Sequence, residues 1–468
     1  MAPSLVYTPL EEIPKIRDHL RAGFKSGKTK SIAYRKEQLL GLAYLIKDNT
    51  TALEDAIRED MGRHALETAV ADIGGMIVEA KVAYDNVEKW AKTERAPFNF
   101  NYAAMRPSIR KEPKGVVCII GPFNIPVWLL LGPLAGAIAA GNACVLKPSE
   151  MAPATAALIT ELLPRYLDPE LYGVVNGGVA ETTRLLELQW DHILYTGNGK
   201  VGRIVSIAAA KHLTPVTLEL GGKNPVVIDP KCDLAVAAKR ILWGKAANAG
   251  QLCVCPDYVL IQPEVQDKFI AALKEAHDTF YPEGPAKSES MGRIINATHF
   301  KRVKTLLDNT KGTIAFGGET DEATRYIAPT VVTNVTGDDS LMSEEIFGPV
   351  LAVISVKDVD EAIEFINARD HPLAVYVFSQ DAAFKSKVFD NTQSGSALAN
   401  DVVIHPVIDG LPLGGVGPSG SGMHTGKYSF DTFTHLRATI DSPKFVDIVM
   451  NARYPPYTVR RPRCRCSG

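Results

Sequence analysis

Apolar residues recur at helical spacing through the first ninety positions: Ile13, Ile16 and Leu20; then Leu39, Leu42, Leu45 and Ile46; then Ile73, Ile77 and Tyr84. Each set marks one face of an amphipathic helix, with charged residues between. Residues 9–94 therefore read as packing helices, and no chemistry is assigned to them. The period breaks at residues 97–112, PFNFNYAAMRPSIRKE, where prolines bracket an aromatic and polar run and a β-hairpin or extended arm is expected. From Gly115 the pattern alternates. GVVCIIG, ACVLKPSE, LYGVVNGG, HILYTG and PVTLELGG read as buried strands. Helices are expected between them over Ile125 to Ala140, near Pro153 to Leu163, around Ala180 to Leu188, and at VGRIVSIAAAKH. Continuous apolar strands separated by helices predict a parallel sheet covered on both faces.

The alternation restarts past Gly222 with NPVVID, a helix from Leu234 to Ala247, DYVLIQ, a helix near Val265 to His277, then APTVVTNV, GPVLAVISV, a helix over Asp360 to Arg369, and LAVYVFS. The fold class is thus α/β, with a second α/β unit beginning near Glu219 to Gly222. Parallel sheets bind ligands at the carboxyl ends of their strands. Residues 410–426, GLPLGGVGPSGSGMHTG, read as a structured glycine-rich loop because SFDTFTH follows in strand-like fashion.

A chain of 468 residues exceeds one compact core, and two or three domains are expected. The net charge of −2 gives no field for nucleic acid. Seven cysteines without regular spacing point to a reducing, cytoplasmic setting, and no zinc-ligand spacing is present, so no metal is expected. The N-terminus lacks a signal pattern. The run from Ile125 to Gly141 falls short of the about 20 residues a membrane span needs and contains Pro126 and Pro133, so no integral membrane segment is expected. The tail, 451–468, is rich in Arg and Pro and reads as mobile. Its Cys464 and Cys466 sit among arginines, a setting compatible with acylation and peripheral membrane attachment, though a disordered basic tail is the preferred reading.

Candidate chemistry concentrates in WGKAANAGQLCVCPDYVL, residues 243–260. Cys253 and Cys255 lie there among Ala and Gly, which leave room beside a sulfur. A buried, inert thiol is the common fate of such a residue. About thirty residues upstream, Glu219 closes a strand before paired glycines, which suggests a nucleophile and a base sharing a cleft at the domain boundary. Gly197 to Gly202 fit the dinucleotide pattern G-x-G-x-x-G, with Glu219 about twenty residues on, which would make Glu219 a ribose ligand instead. Glu150, with Lys147 and Ser149 after the second strand, offers an alternative ribose site. Spacing leaves these alternatives open. His405 could partner Cys253 in a thiol hydrolase, and a non-catalytic binding protein is a third reading. Cys255 could form a protective disulfide with Cys253.

Six segments occur in order: GPFNIPVWLLLGPLAGAIAAGNACVLKPSE, LYTGNGKVG, LELGGKNP, NAGQLCVCPDY, EEIFGPV and LPLGGVGPSGSG. Together the set resembles the aldehyde dehydrogenase superfamily, and RIINATHF, RYIAPTVV, GKYSFDTF and RYPPYT resemble its class 3, fatty and aromatic aldehyde branch. The resemblance implies NAD(P)-dependent oxidation of an aldehyde to the acid, with NAD as cofactor and NADP possible. Cys253 is then the nucleophile, Glu219 the general base and Asn124 the oxyanion donor. Lys147, Ser149 and Glu150 hold the adenosine ribose, Gly197 and Gly202 line the pyrophosphate and adenine side, and Glu345 and Phe347 position the nicotinamide ribose and ring. It also implies an NAD(P)-binding domain (1–96 and 113–218), a catalytic domain (219–418) and an oligomerisation arm (97–112 and 431–442) that builds a homodimer. The chain departs from the family at Phe123, Ile125 and Leu252, where Trp, Tyr and Thr are usual. The departures make the expected substrate tunnel more aliphatic.

Overall fold

The computed structural model describes residues 4–457. Two parallel sheets dominate it. The first contains β1 (Val116–Ile120), β2 (Ala143–Lys147), β3 (Tyr172–Val174), β4 (His192–Thr196) and β5 (Val216–Glu219), paired in the order β5-β4-β1-β2-β3. The order reverses between β1 and β4, so the loops leaving those strands diverge and open a crevice at the carboxyl edge. β1, β2 and β4 are buried at every residue, which explains their unbroken apolar runs.

The second sheet is built from β6 (Asn224–Ile228), β7 (Pro256–Ile261), β8 (Thr330–Thr333), β9 (Val350–Ser355), β10 (Ala374–Phe378) and β11 (Ser396–Ala399), in the order β8-β9-β7-β6-β10-β11. These strands run parallel, and an antiparallel strand at Thr313–Phe316 closes the β8 edge. The chain leaves the first sheet at Glu219 and enters the second at Asn224. The glycine-rich loop returns to the first sheet, where Gly420–Ser421 pairs antiparallel with β5.

Three expectations change. The helix expected from Ile125 begins at Trp128 and runs to Ala140, because Pro126 lacks an amide hydrogen and the Asp72 carboxylate takes the Val127 and Trp128 amides, each at 2.9 Å. SFDTFTH is not a strand throughout: Gly426–Thr432 is helical, and the strand is Thr434–Thr439. The short helix packs on the buried helix at Gly136, where an added Cβ would lie 2.3 Å from the Ser429 Cβ. The arm is a three-stranded antiparallel sheet rather than a hairpin. Glu94–Arg95 pairs with Ser108–Pro113, which pairs in turn with Thr434–Thr439, while 97–107 forms the turn. Strand β11 had no clear signature in GSALAN. Of the tail, Asn451–Arg453 forms a 3-10 turn, and Cys464 and Cys466 lie outside the described residues. Among the described residues no helix is long and apolar enough to cross a membrane, and no cluster of metal-ligating side chains occurs.

Candidate active site

Cys253 sits in a turn just before β7, at the amino end of the second sheet, facing the carboxyl end of the first. The approach to it is unusual backbone: Asn248, Ala249 and Gly250 all have positive φ, at 49°, 53° and 74°. Left-handed non-glycine residues cost about 1–2 kcal/mol each, so surrounding bonds must hold them. Glu67 accepts the Asn248 amide at 2.5 Å. Asn248 Nδ2 donates to the carbonyls of Asn124 (2.9 Å) and Gln251 (3.2 Å), and Gln251 Oε1 accepts from Ile295 N at 2.9 Å. Gly250 must be glycine for a second reason: an added Cβ would lie 2.2 Å from the Gly348 carbonyl of the EEIFGPV segment.

Glu219 ends β5 and is 1% exposed, and neither carboxylate oxygen has a hydrogen-bond partner in the geometry present. Burial pushes its pKa up to about 8; the nearby Cys253 thiol pulls it down, and the Glu345 charge pushes it further up. Cys253 keeps partial exposure, and its thiol pKa lies well above the usual range, through burial first and then the charges of Glu219 and Glu345. The same geometry directs the backbone amides of Cys253 and Val254 at the sulfur.

Asn124 leaves β1 in the crevice loop and is 3% exposed. Its Nδ2 donates one hydrogen to the Gln251 carbonyl at 2.9 Å. A carboxamide nitrogen carries two hydrogens, so a second remains for a ligand oxygen. The Asn124 carbonyl accepts from Arg63 Nη1 at 3.0 Å as well as from Asn248.

Lys147 and Glu150 pair at the end of β2 (Nζ to Oε2, 2.5 Å), beside the buried Ser149. Gly197 opens the loop after β4, its amide bonded to the Glu219 carbonyl at 3.0 Å. Gly202 lies inside helix Gly199–Ala210 and is turned onto Leu220, where an added Cβ would meet a methyl at 3.0 Å; its bareness serves packing. Thr196 Oγ1, at the same sheet edge, is buried and unpartnered, as is the Glu219 carboxylate. Orphaned polar atoms, a Lys–Glu pair at a strand end and a helix N-terminus together fit a dinucleotide at this crevice. Glu345 approaches from the second unit, its carboxylate against Gly221 and its pKa pushed to about 8 by burial and then by Asp257. Phe347, at φ 46°, meets Phe123 edge-on at 5.8 Å. Glu344 is exposed and pairs with Arg302.

The helical region assigned no chemistry supplies three charges to this site. Arg63 and Asp72 form an ion pair with both side chains fully buried. Arg63 holds the Asn124 carbonyl, Asp72 caps the helix that follows Asn124, and Glu67 holds the Cys253 approach. A signal was present in the sequence. Asp72 occupies the buried stripe of Met76, Ala80, Ala83 and Val87, and an acid on an apolar face demands a buried partner. His405 is buried with neither ring nitrogen hydrogen-bonded, so it makes no bond to the thiol. The Cys255 thiol donates to the Gly244 carbonyl at 3.3 Å.

The aldehyde dehydrogenase family model matches residues 8–439. The chain is 48% identical to rat aldehyde dehydrogenase family 3 member A2, over 93% of this chain and 90% of that protein. It is 46% identical to mouse family 3 member B1 (95% and 94% covered) and 44% identical to the dog dimeric NADP-preferring aldehyde dehydrogenase (97% and 100%). Among solved structures it matches substrate-bound Staphylococcus aureus AldH with a TM-score of 0.90 at 41% identity, over 92% of this chain and 93% of the other. It also matches Methanocaldococcus jannaschii GapN complexed with NADP, with a TM-score of 0.84 at 25% identity, over 94% and 96%. On this similarity, and on a crevice that fits a dinucleotide, the chain belongs to the aldehyde dehydrogenase family and is an NAD(P)-dependent, aldehyde-oxidising enzyme.

Proposed function

We propose that Cys253 is the nucleophile, Glu219 the base and Asn124 the oxyanion donor. The observation that carries this is the buried, unpartnered Glu219 carboxylate beside the Cys253 thiol. A base with a pKa of about 8 is suited to accept a proton near neutral pH and return it. The Cys253 thiol gives up its proton to solvent, and the sulfur adds to the aldehyde carbonyl. The resulting oxyanion accepts the free Asn124 N–H and the Cys253 amide, a contribution of roughly 3 kcal/mol per donor. When bound, NAD(P)+ supplies the two-electron oxidant that separates this adduct from the thioester. Glu219 then removes a proton from water, the water oxygen attacks the thioester, and the carboxylic acid leaves as the thiol is restored. Lys147, Ser149 and Glu150 hold the adenosine ribose, Gly197 borders the phosphates, and Glu345 and Phe347 orient the nicotinamide half. Residues 1–96 and 113–218 form the cofactor domain and 219–418 the catalytic domain.

The substrates are medium- to long-chain aliphatic or aromatic aldehydes. Phe123, Ile125 and Leu252 make the surroundings of Asn124 and Cys253 apolar. A cavity of about 350 Å³ is walled by Val78, Val82, Trp128, Val407 and Ile408, at the start of the helix that follows Asn124. The subunit pairs as a homodimer through the arm, whose outer strand exposes Leu436 and Ile440 on either side of its end; the dog relative is named as dimeric. The location is cytoplasmic. NAD(P)H formation with a panel of aldehydes tests the assignment. Cys253→Ser abolishes turnover, whereas Glu219→Gln retains a single burst of NAD(P)H followed by slow release. Undiminished turnover in Cys253→Ser refutes it.

A further inference from the structure

Three consecutive carbonyls in the nucleophile turn are held by side chains from the second sheet. Asn224, fully buried at the start of β6, donates through Nδ2 to the carbonyls of Cys253 (2.8 Å) and Cys255 (2.9 Å). Its Oδ1 accepts the Ala374 amide of β10 at 2.8 Å, which fixes the carboxamide plane. The hydroxyl of Tyr376, also fully buried and on β10, donates to the Val254 carbonyl between them and accepts the Val403 amide at 3.3 Å.

A trans peptide is planar, so its C=O and N–H point in opposite directions. The Cys253 carbonyl and the Val254 amide belong to one peptide. Drawing that carbonyl down onto Asn224 turns the Val254 N–H up, to the side where the Cys253 sulfur lies. The same logic at the next peptide directs the Cys255 N–H away from Tyr376, where it bonds the Leu252 carbonyl at 2.9 Å and closes the turn.

We propose that Asn224 and Tyr376 are positioning residues that clamp the Cys253–Cys255 backbone: Asn224 turns the Val254 amide toward the reacting sulfur, and Tyr376 fixes the Cys255 amide on the Leu252 carbonyl, whose peptide carries the Cys253 amide. Neither touches substrate or cofactor; both act through the orientation of two peptide groups. The inference rests on Cys253 being the nucleophile. The ionisable groups facing the sulfur are Glu219 at the end of β5 and Glu345 before β9, and neither is altered by these variants.

The test compares Asn224→Leu, Tyr376→Phe and Cys253→Ser as full-length enzymes. kcat and KM are measured with an aliphatic aldehyde and NAD(P)+, and iodoacetamide alkylation of the thiol is followed across pH. Both clamp variants are expected to lose about tenfold or more in kcat with KM changed less than about threefold. The alkylation rate falls in parallel and its pH midpoint moves upward, because amides that favour the thiolate have turned away. A merely structural role lowers thermal stability and leaves the alkylation profile of the folded protein unchanged, which overturns the proposal. If Asn224→Leu does not fold, Tyr376→Phe, which removes one oxygen, decides alone. Wild-type kcat and alkylation in Tyr376→Phe, with Cys253→Ser inactive, refute the clamp while sparing the nucleophile. Turnover in Cys253→Ser refutes the nucleophile itself.

Discussion

Replacing Glu219 by Gln removes a titratable group while keeping its shape, and stability then reports the state of the carboxyl. In the folded chain burial raises the Glu219 pKa from 4.5 to about 8. The unfolded chain leaves it near its ordinary value. Between those two pH values the folded protein binds a proton that the unfolded protein releases, so stability is fully present below about pH 4.5 and is lost as pH rises toward 8. Each pH unit is worth about 1.4 kcal/mol, which gives a ceiling of roughly 5 kcal/mol across the window. Glu219→Gln does not titrate and escapes this loss. Glu345, raised to about 8 as well, titrates in both proteins and largely cancels in the comparison. Urea unfolding of the cofactor-free proteins at pH 5, 7 and 9 is the assay. The variant's stability relative to wild type is expected to grow by several kcal/mol from pH 5 to 9, with no further gain above that. A difference that stays within about 1 kcal/mol over this range means Glu219 is ionised at ordinary pH in the fold, and the argument for a base poised near neutrality fails.

Further outcomes follow from the same geometry. Arg63→Met leaves Asp72 fully buried without its cation and is expected to cost about 3–5 kcal/mol in urea unfolding. The double variant with Asp72→Asn recovers part of that, since Asn can still accept the Val127 amide. Glu150→Gln frees Lys147 from its 2.5 Å pairing and removes a carboxylate from the ribose site. The KM for NADP falls about tenfold relative to NAD, equivalent to about 1.4 kcal/mol, measured by steady-state kinetics with both cofactors. Cys255 is bonded to Gly244 on the flanking helix rather than presented to Cys253, so peroxide inactivates wild type and Cys255→Ala at equal rates with equal recovery by thiol. Slower irreversible loss in wild type overturns that.

The alternation of apolar strands and helices made both sheets legible, because parallel strands covered on two faces need unbroken apolar runs wherever they are. The six ordered motifs pointed to Cys253, Glu219 and Asn124, and the structure brings these into one crevice. Its other half was not legible. Asp72 alone stood out, as an acid on an apolar helix face; Arg63 and Glu67 look like surface charges in sequence, and only packing separates a charge in water from one buried against Asn124. SFDTFTH reads like a strand, yet its first half is helical and packs against Gly136 of the buried helix.

By itself the sequence determined the chemistry available: a thiol among small residues, a carboxylate closing a strand, a carboxamide after β1, and a chain able to fold into two α/β units. Only the tertiary structure decided how those groups behave. Burial of Glu219 raises its pKa, and Asn224 and Tyr376 reach across the second sheet to hold the carbonyls of Cys253, Val254 and Cys255. Both depend on distances between residues far apart in the chain, which local pattern does not carry.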